Sequence, residues 1–132
     1  MRVKTKLSDY KTVIVPIEYN GDDFDLEIRS IASREFKEAT SEYLSLIEHA
    51  KNNDIELKES IKVEAGLDIT HSREIQTDYA KKAMAILLSS LVVSWPFDED
   101  LKEVILDNPE LGELIDYEAS ALAEEFKRLK KI

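Results

Sequence analysis

The chain has no cysteine, and among its 132 residues only three glycines, three prolines, two histidines and one tryptophan. Without cysteine there is no disulfide and no thiol chemistry, and the composition fits a protein that works in a reducing cytosol. Gly21, Gly66 and Gly112 are far apart, so no glycine-rich loop is present to cradle a phosphate. His49 and His71 each stand alone, without the HExxH or paired spacing that a zinc site uses. No apolar run approaches the roughly 18–20 residues of a membrane span, and the longest, residues 83–93, is broken by Ser89 and Ser90. Residues 1–6 are basic but lack the apolar stretch of a secretory signal, so none is expected.

The usual catalytic patterns are missing as well. The serines have neither a nucleophile-elbow context nor a nearby base. Asp98-Glu99-Asp100 lacks the alternating ligands, central glycine and terminal glutamate of a calcium loop. With 28 acidic residues, carboxylate pairs are unavoidable and none stands out as an acid–base couple. The expectation is a protein that is not an enzyme and has no catalytic, metal or cofactor-binding residue.

What the chain does have is acid in one place. Net charge is −10, and the stretch from Asp98 to Glu125 holds eleven acids against the single base Lys102, so that it alone carries −10. Such a surface repels nucleic-acid phosphates and anionic lipid head groups, so neither nucleic acid nor membrane is expected as a partner. A solvated helical face that keeps the protein soluble is the plainest account of it.

Periodicity places the elements of an α+β fold, expected to form a single domain over residues 1–132: a β-hairpin at about 11–29 packed on a mainly α-helical region, 33–131, of about four helices. Asn20-Gly21 is the preferred type I′ turn pair. Closing the hairpin there pairs Ile17 with Phe24, Val15 with Leu26 and Val13 with Ile28, which puts all six side chains on one face. Pro16 cannot donate to a ladder, so an edge position or an outward-facing amide is expected for it. The arm at 1–6 either extends this sheet or stays disordered. Ser33 is placed to cap a helix over about 34–51 with an apolar stripe of Phe36, Ala39, Tyr43, Leu44 and Ile47, stopped at Asn52-Asn53-Asp54. Residues 52–72 read as a mobile connection or insertion, in which Ile55, Leu57, Ile61 and Val63 fit either a short helix or extended chain, broken at Gly66.

A long helix is expected from about Ser72 to Val93, with Ile75, Tyr79, Ala83, Ile86, Leu87 and Leu91 in one stripe and Met84, Leu88 and Val92 widening it. A helix apolar nearly all round is buried centrally or covered by a partner. Pro96 disfavours helical geometry at Trp95 and is expected to set the stop. Asp98 is expected to cap a short helix reaching about Leu106. Asn108 then caps the last helix, with Pro109 at its first position and a stripe of Leu111, Leu114, Ile115, Ala119, Leu122, Phe126 and Leu129.

Trp95-Pro96-Phe97 admits two roles. The rings seal the core where two helices meet, or they border a groove that receives another protein's helix, since aromatics are enriched among interface anchors and an amphipathic helix docks by its apolar face. In the second case Leu88, Leu91, Trp95, Phe97, Leu111, Leu114, Ile115 and Leu122 line or support the groove.

A helix ending in an apolar run and Trp95, an acidic loop after Phe97, and then Asn108-Pro109-Glu110-Leu111, Ile115, Ala119 and Phe126 together resemble the C-terminal half of the tail assembly chaperones of long-tailed bacteriophages. The resemblance covers about a third of the chain well and another third loosely, and residues 55–72 have no counterpart in it. It implies a non-enzymatic assembly factor in the host cytoplasm, absent from the mature virion, that coats the helical tape measure protein and keeps its apolar segments soluble before the tube forms. Self-association is left open. Two other classes also remain: a structural tail or head–tail connector protein, and an acidic inhibitor that binds a basic protein through Asp98–Glu125.

Overall fold

A computed structural model describes residues 12–64 and 70–130, with strands β1 (Thr12–Tyr19) and β2 (Asp22–Arg29), helix α1 (Arg34–Asn52), strands β3 (Lys58–Glu64) and β4 (Thr70–Gln76), and helices α2 (Asp78–Ser90), α3 (Leu101–Asp107) and α4 (Pro109–Lys130). The architecture is α+β: an N-terminal antiparallel hairpin, four helices and a second small hairpin. The arm at 1–6 and Gly66 lie outside the described residues.

The first hairpin has the expected register, Ile17 with Phe24, Val15 with Leu26 and Val13 with Ile28. Asn20 and Gly21 supply the two positive φ angles, 53° and 83°, that the tight turn requires. Leu26 and Ile28 are fully buried, while Ile14 on the opposite face is 59% exposed. Pro16 pairs with Asp25 at a position whose amide faces away from β2. Its missing N–H therefore costs the ladder nothing.

On the far side of β2 the chain after α2 acts as a partial third strand. Arg29 N–H donates to the Leu91 carbonyl at 2.7 Å, Val93 N–H donates to the Glu27 carbonyl at 3.0 Å, and Ile28 bridges Val92. This pairing corrects the expected helix end. The helix stops at Ser90, five residues before Trp95, with Leu91 still in helical geometry as its cap, because Val92 and Val93 then pair with the edge of β2; Pro96 is not what ends it.

The helix start is corrected too. Thr77 caps α2, its hydroxyl oxygen accepting from Ala80 N–H at 3.3 Å and its hydroxyl donating to the Glu56 carbonyl at 2.8 Å. Residues 72–76 lie instead in β4, where Ile75 pairs with Glu59. The stretch expected to be a mobile connection or insertion is largely a hairpin, β3–β4, inserted between α1 and α2, so its residues take the extended alternative. The Leu57 carbonyl, which accepts from Thr77 N–H at 3.1 Å, helps anchor its base.

Ser33 caps α1 through a 3.3 Å bond from Phe36 N–H. The helix ends with Asp54 at φ 54° and Ile55 N–H donating back to the Ala50 carbonyl at 2.8 Å, a Schellman closure with aspartate where glycine is commoner. Leu44, expected in the buried stripe, is 58% exposed. It sits one position round the helix from Tyr43, which is half-buried. Tyr79 Oη joins the two helices by donating to the Leu46 carbonyl at 2.8 Å.

Asp100 rather than Asp98 caps α3, its Oδ1 accepting from Lys102 N–H at 2.9 Å. A cap must lie immediately before the first turn to reach those amides, and Asp98 is two residues too early. Asn108 serves the junction of α3 and α4 from both sides. Its side-chain amide donates to the Val104 carbonyl at 2.9 Å, and its own carbonyl accepts from Leu111 N–H at 2.9 Å. The buried core gathers Leu26 and Ile28 from the hairpin, Ala85 from α2, Leu91 and Val92 after it, Ile105 from α3, and Ile115 and Ala119 from α4.

Candidate functional site

The residues expected to form one groove are divided among three environments. Leu91 and Ile115 are fully buried and Leu122 is 7% exposed, so these three support the interior and present little surface. Trp95 and Phe97 join Tyr19 and Phe24 of the hairpin in a four-ring cluster. Centroid separations run from 4.9 Å, for Tyr19 and Phe97, to 5.6 Å, for Phe24 and Trp95, mostly edge-to-face. Such arrangements match the ring quadrupoles and add stabilisation beyond buried area. The cluster fastens the segment after α2 to the turn end of the hairpin. Trp95 Nε1 is buried without a hydrogen-bond partner among the described residues.

Trp95, Leu111 and Leu114 line a small concavity of about 190 Å³, walled also by Ile17, Tyr19 and Glu110. Leu88 lies elsewhere, in a larger groove of about 460 Å³ between α2, α3 and α4. Its apolar surface comes from Met84, Ala85 and Leu88 on α2, from Ile105 and Leu106 on α3, and from Pro109 at the start of α4. Lys81 and Gln76 stand at one rim, Glu113 and Asp116 at the other.

The groove owes its shape to Gly112. A Cβ at that position would lie 3.1 Å from Leu88 Cδ1 and 3.3 Å from Ile105 Cγ2, so its absence lets α4 close down on α2 and α3. A glycine inside an apolar-periodic helix marks a close approach of this kind. That signal was open to reading in the sequence, and it points to the groove that the stripe of leucines did not locate. Met84, Leu106 and Pro109 were not among the expected groove residues; Met84 had only widened the α2 stripe.

Within the Asp98–Glu125 stretch, Glu103, Asp107, Glu110, Glu113, Asp116 and Glu124 are exposed on α3 and α4. Tyr117 stands 70% exposed among them. Arg29 is a further residue of consequence that periodicity could not single out. Its Nη1 donates to the Ser90 carbonyl at 2.9 Å and the Val92 carbonyl at 2.8 Å, and its Nε meets Glu35 Oε2 at 3.2 Å.

His49 is exposed in the last turn of α1, where its carbonyl accepts from Asn53 Nδ2 at 2.9 Å. Among the described residues no group of three or more histidines, cysteines or carboxylates is placed to hold a metal ion. No helix among them is long and apolar enough to cross a membrane. The chain matches no protein-family model, no curated protein and no solved structure.

Proposed function

We propose that this protein is a non-enzymatic assembly factor of the phage tail assembly chaperone kind, which binds and solubilises a tape measure protein in the host cytoplasm and leaves before the virion is complete. The observation that carries the reading is the open apolar groove between α2, α3 and α4, set beside a strongly acidic helical surface. A tape measure protein exposes long apolar helical stripes that would otherwise self-associate. A small domain that covers part of such a stripe and turns a charged face to water keeps the complex in solution. The resemblance of the segment from the end of α2 through Asn108-Pro109-Glu110-Leu111 is the second support.

The test is co-expression with the long helical protein encoded downstream, followed by affinity purification at low and high salt. Soluble co-purification that persists at high salt is the expected result, because apolar docking is little screened. If the two proteins do not associate and the long one stays insoluble, the chaperone role is wrong; detection of this chain in purified virions would then identify a structural tail component. Binding to a basic protein that collapses sharply with salt would identify an acidic inhibitor instead.

A further inference from the structure

We infer that the α2–α3–α4 groove takes about one heptad of an amphipathic helix from another protein, whose apolar stripe is flanked by lysine or arginine along the side that meets α4. The inference rests on the docking role proposed above and specifies the chemistry of its occupant. Length comes from the walls. The lining runs from Lys81 to Leu88 on α2 and from Pro109 to Asp116 on α4. At 1.5 Å per residue each wall spans about 10 Å, two helical turns, which accommodates apolar side chains at i, i+3 or i+4, and i+7 of a partner.

Polarity comes from the rims. The α4 side presents Glu113 and Asp116, both exposed, whereas the α2 side presents Lys81 and no acid among the lining residues. Groove walls of opposite sign accept a helix in one sense: basic flank toward α4, neutral or acidic flank toward α2. A second copy of this chain is a poor occupant. Each copy carries −10, and the exposed Leu44 of α1, an apolar helical position that could enter a groove, has Ser41, Ser45 and Glu48 as its near neighbours, with bases only two turns away at Lys37 and Lys51.

The experiment uses the full chain and two labelled synthetic peptides followed by fluorescence anisotropy: an amphipathic helix with a leucine stripe flanked by lysines, and a twin with glutamates in place of the lysines. The lysine peptide is expected to bind about tenfold or more tightly than its twin, since reversing several exposed ion pairs changes affinity by about that factor. The double substitution Glu113→Lys with Asp116→Lys alters only exposed side chains and should reverse the preference. Met84→Glu should weaken both peptides while circular dichroism shows the same helix content. Equal binding of the two peptides, or a preference unmoved by the double substitution, overturns the inference, and so does a chain dimer in sedimentation that Met84→Glu dissolves. If the peptides behave as expected but the downstream protein fails to co-purify, the chaperone role falls and the groove chemistry stands. If co-purification succeeds while the peptides bind equally, the inference falls alone.

Discussion

Arg29→Ala tests how the hairpin and the end of α2 hold each other. The wild-type guanidinium bonds the Ser90 and Val92 carbonyls at 2.9 and 2.8 Å and meets Glu35 at 3.2 Å, with the arginine side chain 23% exposed. A hydrogen bond to a charged group contributes about 1.5–3 kcal/mol when water is excluded. Here water reaches the site, so each carbonyl contact is worth about 1 kcal/mol, and the partly exposed ion pair adds less than about 1 kcal/mol. The backbone bonds of the same junction, from Arg29 N–H to Leu91 and from Val93 N–H to Glu27, survive the substitution. The expected loss is about 2–3 kcal/mol, read in urea denaturation, which corresponds to a melting point lowered by about 10 °C. Trp95, the only tryptophan, reports from the segment that Arg29 anchors, so its emission should shift to the red at lower denaturant. Arg29→Lys keeps the charge but has no planar fork to reach both carbonyls and Glu35 together, and it should recover about half the loss. A change below about 0.5 kcal/mol for Arg29→Ala would refute the claim that this side chain joins the two elements.

Other substitutions test the frame around the groove. Gly21→Ala meets no atom within 4 Å, so its cost is purely the left-handed φ of 83°; about 1 kcal/mol of lost stability in denaturant titration is expected, and none would mean the turn is not type I′. Leu26→Ala removes a fully buried side chain and should cost about 2–5 kcal/mol, while Ile14→Thr, at 59% exposure, should stay within about 0.5 kcal/mol. Comparable losses for the two would put the wrong face of the hairpin inward.

The first hairpin was legible to the register because two independent signals agree: a turn dipeptide that demands positive φ, and alternation that puts six apolar side chains on one face. The second hairpin lacked both. Its connecting residues carry no tight-turn pair, and its exposed strands alternate weakly, with Ile61 38% exposed. Ile75 misled for a specific reason. It lies four residues before Tyr79, so it continued the helical stripe across a boundary that Thr77 sets. The end of α2 was illegible for another: it depends on the edge of β2, more than sixty residues away in sequence, as the bonds from Arg29 to Ser90 and Val92 record.

Periodicity says which side of a helix faces inward, not which neighbour it meets there, and that limit explains the site. The inward stripe of α4 is spent largely on the hairpin and the interior through Ile115, Ala119 and Leu122, so the surface it lends to the larger groove comes from its flank, Pro109, Gly112, Glu113 and Asp116. The same geometry decides which mutants can speak about binding. Trp95→Ala would open the four-ring cluster and loosen the segment between α2 and α3, so lost binding in that variant could follow from lost structure. Leu91→Asp would place a charge in a fully buried position with the same ambiguity. Met84, Glu113 and Asp116 border the groove, and the two acids are exposed. A binding defect there, with melting unchanged, separates a docking surface from a core. The conspicuous aromatic pair therefore belongs to the scaffold, and Met84, Glu113 and Asp116, in the separate groove, are the positions at which docking can be tested.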